Sequence, residues 1–295
     1  MAGALDRLLY IPYTAWRQVR WLLGDRSPFA ATLKLTTRCT LNCRHCPWLD
    51  RSIPDAPLSK WREVIQEVRR RGASHLVLEG GEPTLRPDLP EIIAFGQSLG
   101  MKVTLATNAS GPLDQYTPYR FLVSVDGRRE THDRLRGAGA FERLLANLPT
   151  ARPPRIALVS LSRENVAEIE PILEFFKGRV EGFWFSFVYD YRKEDALALS
   201  AEEKRRAGAQ ILALRGKYPI TNLPSYLRAL GTDRPCRDWL LLTVTADGVI
   251  RQGCMVEAQA GECRCPDCEL ACHREFSDFV EPRLYFRHLW DYLRR

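Results

Sequence analysis

Six apolar segments, each followed by a turn and most of them separated by stretches of helical spacing, limit what this chain can fold into. Strands are expected at Ala31–Thr37, 75–79, 102–106, 120–125, 155–161 and 182–188, with helices at 59–71, 88–99, 139–148 and 164–177. In the first of these helices Trp61, Val64, Ile65 and Val68 recur every three or four residues and so share one face. Ser200 and Glu203 have the spacing of a capping box, which opens a further helix reaching to about residue 216. Between the third and fourth strands the helical signal is weak. Strand–helix alternation of this kind predicts an α/β chain built on a parallel sheet. Six units fall short of the eight in a closed barrel. The expected fold is therefore a partial (β/α)6 TIM-like open barrel, with a flat doubly wound sheet as the alternative.

The two ends of the chain differ from this middle. Residues 1–30 form an arm in which Pro12 is expected to interrupt any early helix. From Thr14 to Leu23 the spacing puts Trp16, Val19, Leu22 and Leu23 on one side. Such an arm either packs across the main domain or lies on a membrane surface. After residue 230 long helical patterns disappear and cysteines crowd in. A boundary near Gly231 divides a core, 31–230, from a small cysteine-rich extension, 231–295. Within the extension, Asp247-Gly248 lies between two apolar runs as a hairpin turn.

The formal net charge of +7 is a mild basic excess. Short clusters such as Arg69-Arg70-Arg71 fall on or beside helices, and no run is long enough to serve as a nucleic-acid arm. No segment has the ~20 apolar residues needed to span a bilayer, and no secretory signal is evident. A cytoplasmic protein is expected, with peripheral membrane contact through the arm as an addition. Nine cysteines in such a chain point to metal, because a reducing compartment disfavours disulfides.

Cys39, Cys43 and Cys46 follow the first strand with C-x3-C-x2-C spacing. Three thiolates on one loop suit a soft metal centre. On a four-iron cluster they leave one iron open to another ligand. Zinc would require a fourth ligand, for which His45 is the nearby candidate. Gly80-Gly81-Glu82-Pro83 follows the second strand, Thr107-Asn108 the third, and Ser124-Val125-Asp126-Gly127 ends the fourth. All lie at strand C-termini, where barrel proteins build their sites.

Together these segments resemble the radical S-adenosylmethionine (SAM) superfamily, over roughly residues 31–190. That family has an aromatic residue before the last cysteine of its loop, and here His45 takes the place. The resemblance implies a [4Fe–4S] cluster on Cys39, Cys43 and Cys46. It also implies SAM held by Gly80, Gly81, Glu82, Pro83, Asn108, Ser124 and Asp126. In the segment His132–Gly137, Arg134 or Arg136 would pair with the SAM carboxylate, and Arg134 is placed in the site.

The remaining cysteines, Cys236, Cys254, Cys263, Cys265, Cys268 and Cys272, resemble the SPASM or shorter twitch extension of some members. The resemblance implies one auxiliary [4Fe–4S] cluster, on Cys236, Cys254, Cys268 and Cys272, with Cys263 or Cys265 as substitutes. Zinc is the alternative. The implied activity is reductive cleavage of SAM for hydrogen abstraction, with a reductant such as ferredoxin or flavodoxin. The substrate is expected to be a peptide, as for a maturase, or else a small molecule or membrane-associated lipid. A non-enzymatic metal-binding regulator would leave the strand-end segments unexplained.

Overall fold

The computed structural model describes residues 4–46, 52–152, 154–189, 197–232, 236–253, 268, 271–281 and 283–284. Its frame is a single eight-stranded sheet. Six strands are parallel and adjacent in chain order: β1 (Ala30–Lys34), β2 (His75–Glu79), β3 (Lys102–Thr107), β4 (Arg120–Ser124), β5 (Arg155–Leu161) and β6 (Gly182–Phe187). The hairpin β7 (Leu241–Val244) and β8 (Ile250–Gln252) extends the same sheet beyond β1. Its first strand pairs parallel with β1, and its second pairs antiparallel with the first. The sheet does not close, and β6 and β8 are its outer strands.

Among the described residues the helices are, in chain order, α1 (Ala4–Leu22), α2 (Leu58–Arg70), α3 (Leu89–Ser98), α4 (Arg129–Arg136), α5 (Ala140–Asn147), α6 (Ile169–Phe176), α7 (Ala201–Leu214), α8 (Pro224–Ala229) and α9 (Ala271–Phe279). Alternate residues of a strand point to opposite faces. Leu33, Leu78, Val103, Val123, Val159 and Phe185 join the core with Trp61, Val64, Ile65 and Val68 of α2. Their neighbours Lys34, Glu79, Leu122, Ser124, Ser160 and Trp184 line an inner cavity.

No helix joins β3 to β4, in keeping with the weak signal there. The capping box forms in full: the Glu203 amide donates to Ser200 Oγ at 3.3 Å, and the Ser200 amide donates to the Glu203 carboxylate at 2.7 Å. Gly248 turns the hairpin at φ 81°, a left-handed conformation that suits glycine.

α1 corrects one expectation, because it runs on through Pro12. Proline holds a helix-compatible φ and forfeits one bond to the preceding turn. A nineteen-residue helix tied down beyond that point absorbs the loss. The tie is Arg17, buried, which donates to the Gly72, Ser27 and Pro28 carbonyls at 3.2, 3.0 and 2.8 Å. The packed face carries Thr14, Arg17, Gln18 and Trp21, while Trp16, Val19, Leu22 and Leu23 point outward.

Candidate active site

The parallel arrangement brings the C-terminal ends of β1 to β6 to one end of the barrel. Cys39, Cys43 and Cys46, on the loop after β1, all face the inner cavity there, whose volume is about 290 Å³. Gly80, Gly81, Glu82, Asn108 and Ser124 face the same cavity.

Gly80 and Gly81 are required by packing. A Cβ on Gly81 would stand 2.0 Å from the Arg38 carbonyl oxygen, and one on Gly80 2.5 Å from that of Thr36. The absence of side chains lets the exit of β2 lie directly against the cysteine loop. The Gly81 amide donates to the Thr36 carbonyl, and the Glu82 amide to that of Arg38, each at 2.8 Å.

Glu82 is buried and knits three strand ends together. It accepts from the Thr84 and Thr107 hydroxyls and from the Asn108 amide, each at 2.8 Å. Burial pushes its carboxyl above the usual range, against these donors. Asn108 in turn reaches Thr40 Oγ1 at 3.1 Å and Cys39 Sγ at 3.8 Å. Ala109 beside it sits at φ +53°, an uncommon conformation for a residue with a Cβ. Pro83 is buried and starts a short 3-10 turn, so it shapes the exit of β2 rather than facing the cavity.

The loop's other side rests on α4. The Arg44 amide donates to the Leu135 carbonyl at 3.0 Å. Arg136, buried, donates from Nε to Asp126 Oδ2 at 2.6 Å and lies 3.9 Å from Cys43 Sγ. His45 Nε2 lies 3.3 Å from the same Asp126 oxygen. Burial works against the Asp126 charge, yet Arg136, His45 and His132 hold its carboxyl below the usual range. Burial pushes the Cys43 thiol up to about 11, with Arg136 opposing it.

Two sequence expectations change here. Arg134 does not face the cavity. It lies half-exposed and pairs with Glu164 at 2.6 Å, and Glu164 also pairs with Arg44. Of the two, Arg136 lines the cavity. Two residues apart on a helix are about 200° apart, so only one of the pair can point inward. Asp126 is fully buried, with Oδ2 taken by Arg136 and Oδ1 by the Ser160 amide at 3.0 Å, and does not line the cavity.

Residues 33–176 match the family model described as the Radical SAM superfamily. The chain belongs to that superfamily. Over 166 residues it is 37% identical to the AdoMet-dependent heme synthase of Methanosarcina barkeri, covering 51% of this chain and 48% of that protein. It is 30% identical over 161 residues to the mycofactocin maturase MftC of Mycobacterium tuberculosis, covering 50% of this chain and 41% of that one. The chain thus spans about half the length of these curated relatives. The crystal structure of Streptococcus suis SuiB bound to precursor peptide SuiA shares the fold, with a TM-score of 0.66 and 13% identity over 91% of this chain and 68% of that one.

Radical SAM proteins use a [4Fe–4S] cluster and SAM. The donor set fits both. Three soft thiols face one cavity, and the facing wall offers glycine backbone with the polar Asn108 and Ser124.

Several cavity residues escaped the sequence reading. Lys34 and Glu79 form an ion pair across β1 and β2. Arg120 donates to Thr104 Oγ1 at 3.2 Å. At the far end Trp184 and Phe276 complete the lining. Each lies within a strand or helix, and its inward phase is invisible until the barrel curves.

α9 enters the barrel at that far end. Glu275 accepts from Trp184 Nε1 at 2.9 Å, Asn222 Nδ2 at 2.7 Å and the Leu223 amide at 3.1 Å. Burial pushes its carboxyl up to about 7, against these three donors. Cys236 and the buried Cys268 lie close to this helix in bonding terms. The Arg237 amide donates to Ser277 Oγ at 2.7 Å, and Arg274 Nε donates to the Cys268 carbonyl at 3.1 Å. Cys272 belongs to the first turn of α9. Cys254, Cys263 and Cys265 lie outside the described residues.

Proposed function

We propose that this chain is a radical SAM enzyme that cleaves SAM reductively and abstracts a hydrogen atom from a substrate held inside the barrel. The observation that carries the reading is the convergence of Cys39, Cys43, Cys46, Gly80, Gly81, Asn108 and Ser124 on one cavity. A [4Fe–4S] cluster and SAM bound there would supply the reductive SAM cleavage and the hydrogen-abstracting radical chemistry. The chain supplies placement and exclusion of water. Cys39, Cys43 and Cys46 hold the cluster. Gly80 and Gly81 present backbone, and Asn108 and Ser124 present hydrogen-bonding groups, to SAM. Arg136 offers its cation beside Cys43 and is kept in place by Asp126.

For the substrate we infer a carboxylate-bearing molecule, facing Arg120 in the barrel interior, where Lys34 is paired with Glu79. The 37% identity to a heme synthase favours a tetrapyrrole. A peptide is the second reading, supported by the likeness to MftC. In either case a reductant such as ferredoxin or flavodoxin is needed. An auxiliary [4Fe–4S] cluster on Cys236, Cys254, Cys268 and Cys272 belongs to the same proposal. Its support is that α9 holds Cys272 and bonds beside Cys236 and Cys268.

The test is anaerobic reconstitution with iron and sulfide, followed by dithionite and SAM. Formation of 5′-deoxyadenosine is expected, and its loss in Cys43→Ala. A preparation with intact clusters that yields none overturns the reading. Adding iron coproporphyrin or a candidate peptide then separates the substrates, by which one raises the yield.

A further inference from the structure

α1 is amphipathic in the reverse of the usual sense. Its docking face is held by the buried guanidinium of Arg17 and by Trp21, whereas its apolar stripe faces outward. Trp16, Val19, Leu22 and Leu23 are 51, 55, 63 and 82% exposed. A helix that needed only to dock would leave its polar face to water. This one keeps three large aliphatic side chains and an indole there instead.

Arginines cluster around α1. Arg20 stacks over the Trp16 ring at 4.9 Å. Arg26 follows α1, and Arg69, Arg70 and Arg71 end α2 beside Gly72, to which Arg17 bonds. These five arginines are exposed; Arg20 pairs with Asp25, and Arg70 and Arg71 with Glu67, so the five arginines and two carboxylates together carry a net charge of +3. We infer that the exposed stripe of α1 seats the protein on an anionic lipid bilayer, with its four apolar side chains in the headgroup boundary and the arginines against lipid phosphates.

Among the described side chains the stripe holds four, far fewer than the roughly 20–30 residues per side of a standard protein interface. An apolar stripe with an indole and a rim of arginines is also the pattern that interfacial helices share.

The placement has a consequence. Arg17 fastens α1 to the turns that lead into β1 and β2, at the N-terminal ends of the strands. The cysteine loop follows the C-terminal end of β1. The membrane face is thus opposite the mouth of the site, and it tethers the protein without feeding lipid to the cluster. This inference stands independently of the proposed reaction.

Sedimentation of the full, anaerobically purified chain with vesicles tests it. Vesicles of phosphatidylglycerol and phosphatidylcholine are expected to bind about tenfold more tightly than phosphatidylcholine alone. The double substitution Leu22→Glu, Leu23→Glu should weaken binding by at least about tenfold, since two leucines that would enter the bilayer are lost. Both positions are exposed, so iron content and circular dichroism should not change. The idea is overturned if the wild-type chain stays in solution with both vesicles, or if wild type and variant sediment alike. It is also overturned if light scattering reveals a dimer that the substitutions dissolve, which would assign the stripe to a second copy.

Discussion

The two ends of the barrel bury polar groups in different ways. At the cysteine end a carboxylate and a guanidinium, Asp126 and Arg136, are buried against each other, and His45 shares the same oxygen. At the opposite end the buried carboxylate of Glu275 is met by neutral donors: an indole, an amide side chain and a backbone amide. A charged pair fixes geometry in the ionised state and places a cation beside Cys43. A carboxyl among neutral donors, its affinity for a proton raised, stitches α9 to β6 and closes the cavity floor. The mouth is thus arranged for charge, and the base for sealing.

Disabling the mouth should have the largest effect. Cys43→Ala is expected to abolish SAM-dependent 5′-deoxyadenosine formation and to lower bound iron, while circular dichroism shows the sheet intact. Arg136→Met strips Asp126 of its partner. Breaking a buried pair typically costs about 3–5 kcal/mol, measurable by urea unfolding. A loss under about 1 kcal/mol would show that the mouth does not depend on this pair.

Gly81→Ala asks whether the cysteine loop tolerates any gap from β2. With the new Cβ 2.0 Å from a backbone oxygen, about 3 kcal/mol of destabilisation and weakened cluster retention are expected. Urea unfolding and bound iron would report both.

At the base, Glu275→Gln replaces an acceptor by a group that is half donor, and should cost about 1–2 kcal/mol. Its sharper signature is in pH. The folded carboxyl holds its proton up to about 7, while the unfolded one releases it near its ordinary value of 4.5. Stability contributed by this group is complete below about pH 4.5 and is lost as pH rises towards 7, by up to about 3 kcal/mol. The glutamine variant should lack that slope in thermal melts between these limits. An unchanged slope would move its origin elsewhere.

The smallest effect is expected from Arg134→Ala. Its exposed pair with Glu164 is worth under about 1 kcal/mol, and SAM binding by calorimetry should not change. A large loss of SAM affinity would return Arg134 to the site and break the assignment of Arg136.

Much of the site was legible because its signals are local. Gly80-Gly81 announces a close backbone approach, and Cys39, Cys43 and Cys46 announce a metal loop at any fold level. The choice between Arg134 and Arg136 was not legible, since it depends on where α4 begins and so on its rotation. Nor was the service of Asp126 as a support, because a carboxylate in a turn reads alike whether it meets a ligand or an arginine ten residues on.

What the amino-acid order determined by itself was the alternation of strands and helices, the Asp247-Gly248 turn, the capping box at Ser200 and the cysteine spacing. These rest on interactions within a few residues, which the order of side chains specifies directly. Tertiary structure alone decided that β7 pairs with β1 across more than 200 residues, that α9 closes the barrel, and that α1 turns its apolar side to the outside. Those outcomes depend on which surfaces remain uncovered once the sheet has curved, and no local pattern carries that information.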